Sequence, residues 1–152
     1  MRNKAIINEM SIQYGITAKR SDTVKNIKIL SSIDAYKYAK MFYFEDINIY
    51  ESFFVIFLDR IKNTKGYAKI SQGGTSGTII DIKILYYLVI TCLADSIILV
   101  HNHPSGNLQP SNQDKDITNK IKNALSYSDI SLVDHIIITD KSYYSFADEG
   151  NL

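Results

Sequence analysis

Apolar and polar residues alternate from Met10 to Ile16 (Met10, Ile12, Tyr14, Ile16), which predicts a half-buried strand. Further on the period lengthens. Ser31 or Ser32 caps a predicted helix carrying Ala35, Tyr38, Ala39 and Phe42 on one side. The run ESFFVIFLD, Glu51 to Asp59, is rich in aromatic and β-branched residues. The polar turn KNTKG follows it, then a second strand near Tyr67 to Ser71, so the pair reads as a hairpin. After the glycine-rich stretch Gln72 to Thr78, the residues Ile84, Leu85, Leu88, Val89, Cys92 and Leu93 repeat at the helical period.

The short run Ser96 to Val100 is continuously apolar, as expected for a strand covered on both faces. A helix is expected to start near Asn112, with Ile117, Ile121, Ala124 and Leu125 on one face. Strands at Leu132 to Thr139 and Tyr143 to Phe146, joined by a turn at Asp140-Lys141, close the pattern. Strands and helices interleaved in this way predict an α/β fold, a single-domain mixed β-sheet flanked by helices. The expected organisation is an N-terminal strand or arm over residues 1–30 and one domain over 31–152.

Composition changes this picture little. With 152 residues, 45% hydrophobic and 22% charged, the chain has the make-up of a globular domain. A formal net charge of +1 gives no general attraction to nucleic acid or anionic membrane. The most basic stretch, Lys19, Arg20, Lys25 and Lys28, is diluted by Asp22 and reads as a solvated face. The single cysteine, Cys92, excludes an internal disulfide and a thiolate zinc cage, and its helical setting predicts a small core residue. The N-terminal MRNKAIINEMSIQ lacks the apolar core of a signal peptide. The most apolar stretch, Ile84 to Ala94, is too short to cross a bilayer. A cytoplasmic protein is expected.

Candidate chemistry sits in HNHPSGNLQPSNQD, His101 to Asp114. In extended backbone residues i and i+2 share a face, so the imidazoles of His101 and His103 can meet one ion. Asp114, in the first turn of the next helix, offers a carboxylate as a third ligand. Imidazole and carboxylate suit zinc, and three protein ligands leave one tetrahedral position open, where a water becomes acidic enough to ionise near neutral pH. Ser111-x-x-Asp114 ahead of an apolar periodic run is also an ordinary capping box, and a pair of histidines at a strand end is often hydrogen-bonded surface. The conjunction H-x-H-x7-S-x2-D favours the metal. So does the placing of the chain's only two prolines, Pro104 and Pro110, in this loop, where they restrict it.

H-x-H-x7-S-x2-D resembles the signature of the JAB/MPN (JAMM) metalloenzyme domain. The wider pattern, HNHPSG with PS..D, LVDHIII and YYSFADEG, is similar to the RadC-like branch of bacterial JAB proteins, from about Glu51 to Leu152. QGGTSGT and IIDIK also resemble that branch, with Lys83 where an arginine is expected. The resemblance implies a cytidine-deaminase-like three-layer architecture and a single Zn2+ on His101, His103 and Asp114. It further implies Ser111 as donor to the oxyanion and Glu51 as general base, with Glu45 and, remotely, Glu9 as alternatives. The implied activity is hydrolysis of peptide or isopeptide amide bonds in an unknown protein or peptide substrate. Because RadC-like proteins carry a DNA-repair label, the alternative is a DNA-associated factor or metal-dependent nuclease; a third reading is an inactive interaction module.

Outside this stretch, Asp134-His135 reads either as a hydrogen-bonded structural pair or with His135 orienting a metal ligand. The glycines of Gln72 to Thr78 form no phosphate loop and suit either a substrate backbone added to a strand edge or a tight turn. Tyr86-Tyr87 and Tyr143-Tyr144 read as packing rather than a base-stacking platform.

Overall fold

The computed structural model describes residues 19–20, 27–43, 45–74 and 79–152. The alternating segment Met10 to Ile16 therefore lies outside the described residues, as do Glu9 and Thr75 to Thr78.

Among the described residues six strands form one mixed sheet. They are β1 (Lys19–Arg20), β2 (Ser52–Leu58), β3 (Thr64–Gln72), β4 (Ser96–Asn102), β5 (Ser131–Ile138) and β6 (Tyr143–Ser145), in spatial order β1-β3-β2-β4-β5-β6. Only β4 and β5 run parallel; every other pair is antiparallel. Among the described residues three α-helices cover the sheet: α1 (Ser32–Lys40), α2 (Ile82–Thr91) and α3 (Asn112–Ser126), with a short 3-10 helix at Glu45–Asn48.

The uniform apolarity of β2 and β4 is explained by their central place, since every residue of both strands is buried. Alternate residues feed two separate cores. Phe53, Val55, Phe57, Ile97 and Leu99 pack under α2 and α3, against Leu85, Leu88, Val89, Ile121 and Leu125. Phe54, Ile56, Leu58, Ile98 and Val100 pack on the other face, against Ala35, Tyr38, Ala39 and Phe42 of α1 and the segment after it. The result is helix, sheet, helix: the three-layer α/β arrangement.

The β2–β3 hairpin turns earlier than KNTKG suggested. The Asp59 carboxylate accepts the backbone N–H groups of Ile61 and Asn63 and the Asn63 amide, which closes the turn by residue 63 and lets β3 begin at Thr64. Ile27 and Ile29 pair with that turn: Thr64 N–H donates to the Ile27 carbonyl and Ile29 N–H to the Lys62 carbonyl, and Ile29 is buried. Cys92 caps the C-terminus of α2 and is half-buried at the edge of the core rather than within it. Burial pushes its thiol up, partly offset by Lys65, so it is a poor nucleophile. Tyr86 and Tyr87 pack on the core of the α2–α3 face, and Tyr143 stacks on Tyr36. No helix among the described residues is long and apolar enough to cross a membrane.

Candidate metal centre

The site forms where β4 ends. His101 and His103 point to the same face of the sheet, and their Nε2 atoms lie 3.0 Å apart. Asp114 reaches them from the first turn of α3, with Oδ1 3.2 Å from His101 Nε2 and Oδ2 3.6 Å from His103 Nε2. Nitrogens and a carboxylate oxygen from the three residues all fall within 4.8 Å of one another, the only such convergence of three potential ligands among the described residues. His101 is fully buried, while the His103 side chain is 14% exposed, so the group opens to solvent on the His103 side.

Each residue is held by its own local structure. His103 N–H continues the ladder by donating to the Ile138 carbonyl. The chain then doubles back in a turn in which Gly106 N–H donates to the His103 carbonyl, and Gly106 adopts φ +80°, a conformation that favours glycine. That turn returns the Asn107 carbonyl to within 2.6 Å of His103 Nδ1. A carbonyl only accepts, so His103 carries its proton on Nδ1 and, when neutral, presents a bare Nε2.

Asp114 is fixed by the helix cap. Ser111 is the N-cap of α3: its hydroxyl accepts the Asp114 N–H and donates to Asp114 Oδ2 at 2.7 Å, while Ser111 N–H donates to the same Oδ2 at 2.6 Å. The capping box and the ligand geometry, read from the sequence as competitors, are one arrangement. Oδ2 is occupied by the cap, and Oδ1 is the oxygen left facing His101. The Ser111 hydroxyl hydrogen is on Asp114, so in this structure it is not free for a substrate oxyanion.

Opposing terms set the charge at the site. Burial works against ionised Asp114, yet the His101 and His103 rings, which donate to it when they also carry a proton on Nε2, and the Ser111 hydroxyl hold its carboxyl far below the usual carboxylate range. Burial likewise opposes charge on His103, but Asp114, the Asn107 carbonyl and the negative charge of Glu51 raise its proton affinity overall. Two imidazole nitrogens and a carboxylate thus crowd together in a place that demands a cation, either a proton or a metal. The donor set fits a divalent metal that takes nitrogen and oxygen ligands.

Glu51 directly precedes β2. Phe53 pairs with His101 in antiparallel register, so continuing that register by two residues sets Glu51 beside His103 on the same face. Its backbone is clamped by Gly73 and Gly74: Gly73 N–H donates to the Glu51 carbonyl at 2.8 Å, and Glu51 N–H donates to the Gly74 carbonyl. The described start of the glycine-rich stretch therefore extends the β2–β3 pairing. The Glu45 side chain lies outside the described atoms.

Two contributors, Asn102 and Thr118, escaped the sequence reading. Asn102, between the two histidines, faces the opposite layer and ties down the chain around Glu51. Thr118, one turn beyond Asp114, touches both the Asp114 carbonyl and His135. Asp134 and His135 do not pair through their side chains: Asp134 accepts from Ser145 Oγ and from the backbone N–H groups of His135 and Ala147, whereas His135 turns to the opposite face and meets His101 Nδ1 at 2.8 Å. Phe53 stacks on His101 and Phe146 on His135, so both rings lie against aromatic neighbours. Only strand alternation around a histidine pair signals Asn102, and only the i, i+4 spacing from Asp114 signals Thr118.

A family model of the RadC-like JAB domain matches residues 29–151. The chain belongs to the RadC-like JAB domain family. Relatives of this RadC-like chain include a UPF0758 protein of Flavobacterium johnsoniae, 40% identical over 97% of the chain and 63% of the relative, and one of Thermotoga maritima, 33% identical over 98% of the chain and 66% of the relative. A UPF0758 protein of Porphyromonas gingivalis is 39% identical over 67% of the chain and 45% of its own length. The chain spans less than two thirds of the length of these curated relatives. The matched region includes every residue of the His101–His103–Asp114 group, which could hold a metal, and the RadC-like pattern accounts for the stretches on both sides of it.

Proposed function

We propose that this RadC-like domain is a zinc-dependent hydrolase of peptide or isopeptide amide bonds, with His101, His103 and Asp114 as ligands and Glu51 as general base. The single observation that carries the reading is the convergence of two imidazole Nε2 atoms and Asp114 Oδ1, open on the side where the register sets Glu51. When bound, zinc supplies a Lewis acid that acidifies water and polarises a carbonyl.

The protein's own groups do the rest. Glu51 accepts a proton from the attacking water as the new C–O bond forms and the carbonyl electrons move to oxygen, then returns it to the leaving nitrogen as the carbonyl re-forms and the amide C–N bond breaks. Ser111 releases Asp114 Oδ2 and turns its hydroxyl to the developing oxyanion, while Ser111 N–H keeps Asp114 in place. The Asn107 carbonyl holds the His103 ring in orientation throughout.

Metal analysis after Zn2+ loading and dialysis tests the ligand set. One zinc per chain is expected in the wild type and in Glu51→Gln, and none in His101→Ala or Asp114→Ala. A Glu51→Gln protein with full activity on a peptide or isopeptide substrate that the wild type cleaves would show that the base is another residue.

A further inference from the structure

We infer that Thr118 and His135 are positioning residues that set the tautomer of His101, so that its Nε2 faces the metal position with a lone pair. The inference rests on the proposed metal centre and adds to it two residues that touch no metal.

The direction of each hydrogen bond follows from the one before. Thr118 Oγ1 lies 2.5 Å from the backbone carbonyl oxygen of Asp114. Two oxygens that close need a hydrogen between them, and only the hydroxyl has one, so Thr118 donates there. Such a bond to the carbonyl one turn back is a habit of threonine in helices. With its hydrogen committed, Oγ1 can only accept from His135 Nδ1, 2.6 Å away. His135 is fully buried, with no carboxylate in hydrogen-bonding contact with its ring, and its neutral imidazole has one N–H. Its Nε2 is therefore bare and accepts from His101 Nδ1 at 2.8 Å. His101 in turn has given its single N–H to Nδ1, which leaves Nε2 unprotonated opposite His103 Nε2 and Asp114 Oδ1.

The chain of bonds joins three elements. It runs from α3, which also carries Asp114, through β5 to β4, so the backbone of one ligand fixes the ring of another. The opposite direction of the chain would put a proton on His101 Nε2, pointing into the site and blocking it. The Thr118 hydroxyl selects between the two.

Thr118→Val removes the hydroxyl at nearly constant shape. His135 Nδ1 then loses its acceptor and the preferred direction is lost. The expected loss of Zn2+ affinity, measured by competition with a chelator, is about 10- to 100-fold, with Thr118→Ser restoring it. The second readout is nitrogen NMR of histidine side chains in the metal-free protein near pH 8, where all three rings are expected as Nδ1–H tautomers and His101 is expected to gain Nε2–H character in Thr118→Val. Wild-type His101 found as the Nε2–H tautomer, or Thr118→Val binding Zn2+ as tightly as wild type, would overturn the inference and leave the metal centre standing. A wild type that takes up no Zn2+ while showing the Nδ1–H tautomers would overturn the metal centre, and the role of Thr118 and His135 with it.

Discussion

Asn102 and Ser52 face each other across β4 and β2, and the Asn102 side-chain amide oxygen, Oδ1, accepts the Ser52 backbone N–H at 2.8 Å. The same amide donates through Nδ2 to the backbone carbonyls of Ile47 and Tyr50. One fully buried side chain thus completes the backbone bonding of the segment leading into β2, the segment that ends in Glu51. Asn102→Ala strips partners from three backbone groups. Each buried group left unpaired costs about 1–3 kcal/mol, reduced where water enters. A fall of about 2–4 kcal/mol in urea-unfolding stability is expected, with zinc still bound because the ligands lie on the other face. An unchanged unfolding midpoint would mean that the segment is held elsewhere.

The HPSG turn makes a second, more local prediction. Gly106 sits at φ +80° with open space around its Cβ position, so an added methyl meets no neighbour and the whole penalty is conformational. An L-residue there costs about 1–2 kcal/mol. Gly106→Ala relieves that strain by shifting the turn and drawing the Asn107 carbonyl away from His103 Nδ1. Weaker Zn2+ binding is expected in calorimetry, and binding as tight as the wild type's would mean that this turn does not hold the His103 ring.

The fold was legible in the sequence wherever a segment had one consistent period. The buried runs of β2 and β4, the helical repeat of α2 and the Ser111 cap of α3 each have a single physical solution, and the structure contains them. The β2–β3 turn was misjudged because glycine and lysine drew attention to residues 62–66, while the Asp59 side chain closed it earlier. At the site, His101, His103 and Asp114 were visible because ligand chemistry demands particular residue types at particular spacings. Thr118 and Asn102 were not, and for His135 the sequence left a structural pair with Asp134 and the orienting of a metal ligand side by side. Apart from the Thr118–Asp114 bond within α3, their hydrogen bonds join residues between 17 and 55 positions apart, and no local pattern encodes which buried polar group will meet which.

Metal should also stabilise the domain. A ligand bound only by the folded state adds RT ln(1 + [L]/Kd), about 2.7 kcal/mol at a hundredfold excess over Kd. Because the site joins the end of β4 to the start of α3, zinc links two elements whose connecting loop otherwise has only its own turns. Zn2+ is expected to raise the thermal midpoint of the wild type and of Glu51→Gln but not of Asp114→Ala. An equal rise in Asp114→Ala would point to nonspecific binding.

Acidification tests the buried ring of His135. Burial pushes its proton affinity far down, with the neighbouring histidines adding to the effect and Asp114 opposing it. In the unfolded chain the same imidazole titrates near its usual value, about 6.5. Above that pH both states are neutral and the residue contributes no pH dependence. As pH falls below it, the unfolded state takes up a proton that the native state refuses, so stability is lost by up to about 1.4 kcal/mol per pH unit. Metal-free wild type is therefore expected to lose urea-unfolding stability more steeply between pH 7 and 5 than His135→Gln, which has no proton to take up. His103 has the opposite tendency, its proton affinity being raised in the folded state, but it is present in both proteins and cancels in the difference to the extent that its surroundings are shared. Parallel stability curves for the two proteins would mean that His135 is protonated in the native state as readily as in the unfolded one, and that its ring is not the neutral link between Thr118 and His101.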